Sequence, residues 1–212
     1  LARAMLVEHI SANQKSVGVV TFPDAKTGQL TAGGTAFHVG DGTFVTASNL
    51  LPESLKVGAK LVVWLNWTQP NTHAAIIEHR SAKEDVAILR VETNLDEVIP
   101  ALELEAADEP VGLAVFAYGF VEPVCRLERG GWITTAVPRA STGIIGSRYV
   151  KDGALIYEAD FATYPGESGA PVFRVKDNIV IGVVRGARTI KTKEGLVRGP
   201  TLIAPIKAVL DA

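Results

Sequence analysis

From residue 16 onward the sequence runs as short β-forming segments, each closed by glycine, proline, asparagine or aspartate, and this rhythm confines the chain to an all-β sandwich or barrel. The segments are 16–22, 34–39, 44–47, 60–67, 73–79 and 86–92, followed by 112–118, 125–136, 154–161, 171–175, 180–185 and 196–204. Between the two sets lies 99–110, a polar stretch bounded by Pro100 and Pro110 that reads as a connector. Closing each set of six into a ring removes its exposed edges. The expected architecture is two six-stranded antiparallel β-barrels, over 16–100 and 110–205, while periodicity alone leaves a large sandwich open. Short helices are expected at both ends. Ala2, Met5, Leu6 and Ile10 share one helical face and predict a lead-in packing helix, and 206–211 predicts a closing turn or two.

With 212 residues, 47% of them hydrophobic, the chain can bury one large core or two small ones, which excludes a disordered or fibrous class. A net charge of -2 gives no overall attraction to nucleic acid or to an anionic membrane. No apolar run approaches the ~18 residues of a membrane span. Cys125 is the single cysteine, so no internal disulfide is possible and a small buried apolar role is expected. This points to a reducing bacterial cytoplasm, with the periplasm as the alternative. No Cys/His spacing indicates zinc, and no cofactor is expected. Asn66-Trp67-Thr68 matches a glycosylation acceptor and reads as coincidence. The chain begins with Leu1 and shows no secretion signal, so 1–212 is expected to be one domain of a longer protein whose other domains are partners.

Three segments carry chemistry. Residues 34–50 form a strand, a Gly40-Asp41-Gly42 turn and a second strand ending Thr46-Ala47-Ser48-Asn49. Next, Asp85 stands immediately before the apolar strand Val86-Ala87-Ile88-Leu89. Last comes Gly166-Glu167-Ser168-Gly169-Ala170-Pro171. Each alone also fits an ordinary turn. In this order, 36 and 83 residues apart, they resemble the trypsin-like serine proteases, nearest the disulfide-free bacterial and high-temperature-requirement types. That family's motifs read Thr-Ala-x-His, Asp-x-Ala-x-Leu and Gly-x-Ser-Gly-Gly-Pro. The resemblance implies Ser168 as nucleophile, Asp85 as the orienting carboxylate, and the Gly166 and Ser168 amides as the oxyanion donors.

Asn49 stands where the family has histidine. A carboxamide has no lone pair basic enough to take a proton near neutrality, so the resemblance implies an endopeptidase lineage with an incomplete triad. Activity is expected only with histidine at 49; the alternative is a pseudoprotease that binds a peptide or partner protein in the inter-barrel cleft. His38 and His79, like His9 and His73, read as strand or loop residues rather than substitute bases. By the same resemblance, Ala162 and Thr163 are expected at the base of the substrate pocket, where a small neutral floor offers no partner to lysine or arginine. Val183, Val184 and Arg185 are expected along one wall, beside which a peptide adds as a strand. Arg185, Arg188, Lys191, Lys193 and Arg198 put five positive charges against Glu194, read as a solvated hairpin, with an acidic partner as the sharper alternative. Asn49 is expected to bond to Asp85, and Leu1 lies too far upstream for a freshly cut N-terminus to pair with Glu167.

Overall fold

The computed structural model describes residues 2–65, 71–93, 95 and 99–211; the Asn66-Trp67-Thr68 sequence and the end of the fourth expected strand lie outside these. The first barrel comprises β1 (Val17–Pro23), β2 (Leu30–Gly40), β3 (Thr43–Ala47), β4 (Lys60–Leu65), β5 (Asn71–Ser81) and β6 (Val86–Val91). The second comprises β7 (Ala114–Glu128), β8 (Gly131–Lys151), β9 (Ala154–Ala159), β10 (Pro171–Arg174), β11 (Val180–Thr192) and β12 (Gly195–Pro205). Both sheets are antiparallel and closed, in the orders β1-β2-β3-β6-β5-β4 and β10-β11-β12-β9-β8-β7. Helix α1 (Ala2–Asn13) precedes them and α2 (Lys207–Leu210) follows. No helix among the described residues is long and apolar enough to cross a membrane.

The expected strand 125–136 is corrected: it straddles a hairpin. β7 continues to Glu128, opposite Gly131 on β8, so Arg129 and Gly130 form a two-residue turn, with Gly131 at φ 122°. Gly130 is therefore in the turn, and Gly131 opens β8. β8 then runs on through 137–151, where exposed polar residues hide a strand that pairs with β7 and β9.

Alternating side chains fill each barrel. Val20, Phe44, Leu61, Ile77 and Leu89 lie in the first, and Val115, Tyr157, Val172, Ile181 and Ile203 in the second. A third cluster lies across the seam, where Val17, Phe37, Val45 and Val86 meet Phe116, Tyr118, Phe120 and Val183. Leu6 and Ile10 of α1 pack on this cluster, as their shared face predicts. The helix is tied down by the His9 ring on the Val175 carbonyl at 3.1 Å, and by Asn13 and Asn178, which exchange amide hydrogen bonds at 2.7 and 3.1 Å.

The connector bonds to both barrels. Leu102 N donates to His38 O of β2 at 2.9 Å, while Leu104 bridges Val180 of β11. Arg174 on β10 gathers Glu105, Glu109 and Asp177 around one guanidinium, the Glu109 pair at 3.1 Å. Glu109 is buried, and burial raises its carboxyl pKa while Arg174 lowers it. Removing one partner of a buried pair leaves the other charge uncompensated. Arg174→Leu is expected to lower stability by about 3 kcal/mol. Adding Glu109→Gln should recover much of the loss, as measured by urea unfolding of the single and double variants.

Candidate functional site

β3 delivers Asn49 to the cleft through a single 3-10 turn, Ser48–Leu50. Arg80 on β5 holds this turn in place. Its guanidinium donates to the Ser48 hydroxyl and to the carbonyls of Ser48, Leu51, Pro52 and Leu55, at 2.5 to 3.1 Å. Asp85, just ahead of β6, sits in the left-handed region at φ 60°, and its carbonyl accepts from Ser48 N at 3.2 Å. The two loops therefore fix one another.

The Asp85 carboxylate, 5% exposed, accepts three hydrogen bonds. Asn49 supplies two of them, from its backbone N to Oδ1 and from Nδ2 to Oδ2, both at 2.7 Å. Arg185 Nε supplies the third, to Oδ2 at 3.2 Å. Burial pushes the Asp85 carboxyl above its usual range, opposed by the Arg185 charge and by the Asn49 and Arg185 hydrogen bonds. Arg185 reaches this position because β11 is bulged: Val184 pairs with Ile203 and Gly186 with Leu202, leaving Arg185 as the extra residue between them.

Ser168 lies in the loop that leads into β10. Its hydroxyl donates to the Arg185 carbonyl at 3.3 Å, the same oxygen that accepts the Asn49 amide at 2.6 Å. The preceding peptide planes are pinned. Pro165 O accepts from Glu122 N, and Glu167 O from Ala170 N, both at 2.9 Å. A trans peptide points its N–H opposite its C=O, so the Gly166 and Ser168 amides are turned the other way. Neither amide has a protein partner among the described residues. Gly166 has φ 100°, and a Cβ there would collide with Pro123 and the Phe120 carbonyl. Thr35 of β2 fastens the loop from the other barrel: its hydroxyl donates to Gly166 O at 2.8 Å, and its N to Ser168 O at 2.9 Å.

Asn49, Asp85, Ser168 and Arg185 thus meet at the seam between the barrels. Thr163 lines a cavity beside Ser168, whereas Ala162 is exposed and outside that lining, a departure from the expected pocket floor. Val183 and Val184 also depart from expectation. They are buried core residues whose backbones are committed to β10 and β12, so the open part of the wall begins at Arg185. The histidines lie elsewhere in the fold: His9 stacks on Phe116, His38 is buried against Phe44 and the Pro100 carbonyl, and His73 and His79 are on β5. Cys125 is partly buried on β7. The clamps made by Arg80 and Thr35 were not visible in the sequence. Neither was the Arg185 side chain on Asp85, since each contact joins residues distant in the chain.

Glu167, 4% exposed, accepts from Tyr164 N at 2.6 Å and pairs with Arg139 at 3.5 Å. Arg139 also stacks on the Tyr164 ring, 3.9 Å from its centroid. Glu167 is therefore paired with an internal arginine. Burial raises the Glu167 carboxyl pKa, against the Tyr164 amide and the Arg139 and Arg198 charges. A raised folded-state pKa adds stability that is full below the ordinary value of 4.5 and is lost as pH rises through the folded value. The stability of the native chain relative to Glu167→Gln should therefore fall between acid and neutral pH. A flat difference in denaturant midpoints across that range would count against it.

Comparison with known proteins follows from this geometry. The family model for trypsin-like peptidase domains matches residues 34–183. Among curated proteins none matches the sequence significantly. The HtrA-type protease AlgW, solved with a decapeptide, superposes with a TM-score of 0.71 at 16% identity, covering 97% of this chain and 65% of that one. The active form of the Rv3671c protease from M. tuberculosis gives 0.73 at 19%, covering 98% and 83%. The chain spans less than two thirds of the HtrA-type chains it matches. With the family model covering Asn49, Asp85 and Ser168, and the double barrel of these proteases reproduced throughout, the chain belongs to the trypsin-like peptidase family.

Proposed function

We propose that this chain binds peptides in the inter-barrel cleft and has little or no serine-peptidase turnover. Ser168, Asp85 and Asn49 occupy the catalytic positions, and Gly166 and Ser168 supply the oxyanion amides. The observation that carries this reading is the Asn49 amide, which donates both to Asp85 and to the carbonyl that takes the Ser168 hydroxyl. Those bonds use both hydrogens of the amide. A carbonyl accepts a hydrogen bond but cannot remove the proton as the hydroxyl attacks. Loss of the base alone lowers kcat by about 10⁶-fold in a serine protease, roughly 8 kcal/mol of barrier.

Peptide binding is supported by the backbone. β10 stops pairing with β11 at Pro171 opposite Val183, and the cross-bonds on that side end at Val184, whose N donates to Ala170 O at 2.9 Å and whose O accepts from Gly169 N at 2.8 Å. From Arg185 onward, β11 is paired on the β12 side only, so an extended peptide has an open edge to join. The AlgW structures with bound peptides lend weight to the same mode.

A second reading, a peptidase dormant only for want of histidine, is favoured by one feature, the outward-turned pair of oxyanion amides. The two readings separate experimentally. Native protein should show no Ser168-dependent labelling by a peptidyl phosphonate. If the site is otherwise assembled, Asn49→His should raise labelling on the order of 10²-fold or more. No gain in a folded variant favours the binding module, and rapid Ser168-dependent labelling of native protein overturns the inactive assignment.

A further inference from the structure

Beside Ser168 is a cavity of about 190 Å³ whose lining includes Thr163, Tyr164, Gly186, Thr189 and Arg198. It is smaller than the roughly 300 Å³ at which small-molecule pockets begin, and so suits a single side chain. Gly186 keeps its mouth open: at φ 141° it carries no side chain, and a Cβ there would stand 3.8 Å from Ser168 Oγ.

Arg198 is the charged residue of the lining. It lies on β12 opposite Thr189 of β11, and its Nη1 donates to the Thr163 carbonyl at 2.8 Å. That bond holds one edge of the guanidinium against the wall. Its remaining N–H groups have no carboxylate partner among the described residues. The acid nearest in sequence to Ser168, Glu167, is committed to Arg139 and the Tyr164 amide. Tyr164 separates the two arginines, its ring centroid 3.9 Å from Arg139 and 6.0 Å from Arg198. The cavity therefore places the Arg198 guanidinium beside Thr189 and Tyr164 without a direct carboxylate contact among the described residues, Glu167 acting on it only through the longer-range attraction of its charge.

We propose that Arg198 makes this cavity selective for an acidic side chain, so that the cleft takes peptides with glutamate or aspartate in the pocket beside Ser168. A carboxylate meets a planar donor pair already fixed at one edge, and charge-assisted bonds of this kind are about twice as strong as neutral ones. Lysine or arginine would meet a like charge in a confined space, which excludes them. This inference rests on the reading of the cleft as a peptide site.

The test uses the full native chain and fluorescent tetrapeptides, N-acylated and C-amidated, that differ only in the pocket residue: Glu, Gln, Leu or Lys. Fluorescence anisotropy should show the Glu peptide binding about tenfold or more tighter than its Gln isostere. Lys should bind weakest. Arg198→Gln should abolish the Glu/Gln difference, and Arg198→Lys should restore part of it. The Glu peptide with a free C-terminal carboxylate should compete no better with the Lys peptide than its amide does; a large gain from the free terminus would show that the terminus, rather than the side chain, is recognised, and would overturn the proposal. Equal binding of all peptides overturns the specificity but leaves the peptide cleft standing. Binding of none overturns the cleft reading, and this inference with it.

Discussion

A buried carboxylate at the seam of two barrels is the constraint around which this molecule is arranged. Asp85 has almost no access to water and must be satisfied by protein donors, which come from both halves: Asn49 from the first barrel and Arg185 from the second. An unpaired charge in that position would be expensive to bury. The left-handed backbone at Asp85, the clamped 3-10 turn carrying Asn49 and the bulge that exposes Arg185 all serve this one accommodation. Ser168 is drawn in through the carbonyl of the same bulged residue.

Exchanging imidazole for carboxamide changes what the arrangement can do more than how it is built. An amide donates to the aspartate from nearly the same place, so the charge stays satisfied and the loops keep their positions. On the proposed reading, what is missing is the base that takes the serine proton, because an amide nitrogen offers a donor and no usable base. Arg185 deepens the change. A guanidinium on Asp85 supplies the positive charge that a protonated histidine would provide only transiently, and supplies it permanently.

Local chemistry made much of this legible in the sequence. The alternation of β1–β6, the Gly40-Asp41-Gly42 turn, the Asp85 position and the Gly166–Pro171 loop all rest on short-range patterns, and these placed two six-stranded barrels and the meeting of Asn49, Asp85 and Ser168. The long hairpin from β7 to β8 was misread because its outer strand segments are mostly exposed and its turn is only two residues, Arg129 and Gly130, so core-facing alternation did not mark it. Arg80, Thr35 and Arg139 escaped for another reason. Their partners lie 25 to 133 residues away, and only closure of the barrels brings them together. Ala162 lies in a loop outside the cavity lining, and β11 stays hydrogen-bonded to the segment before β10 through Val184, a pairing between distant residues that spacing along the chain does not reveal.

The connector between the barrels has a mechanical consequence. Domain closure requires a few residues whose dihedrals can swing while their neighbours stay put. Here the linking segment is hydrogen-bonded to β2 on one side and bridges β11 on the other, with Arg174 binding Glu105 and Glu109. Rocking one barrel against the other would break those bonds together with the seam packing of Phe37, Phe116 and Phe120. Among the described residues these bonds tie the two barrels to one another, so a peptide bound as proposed would be met by the loops at the cleft rim rather than by closure of one barrel on the other.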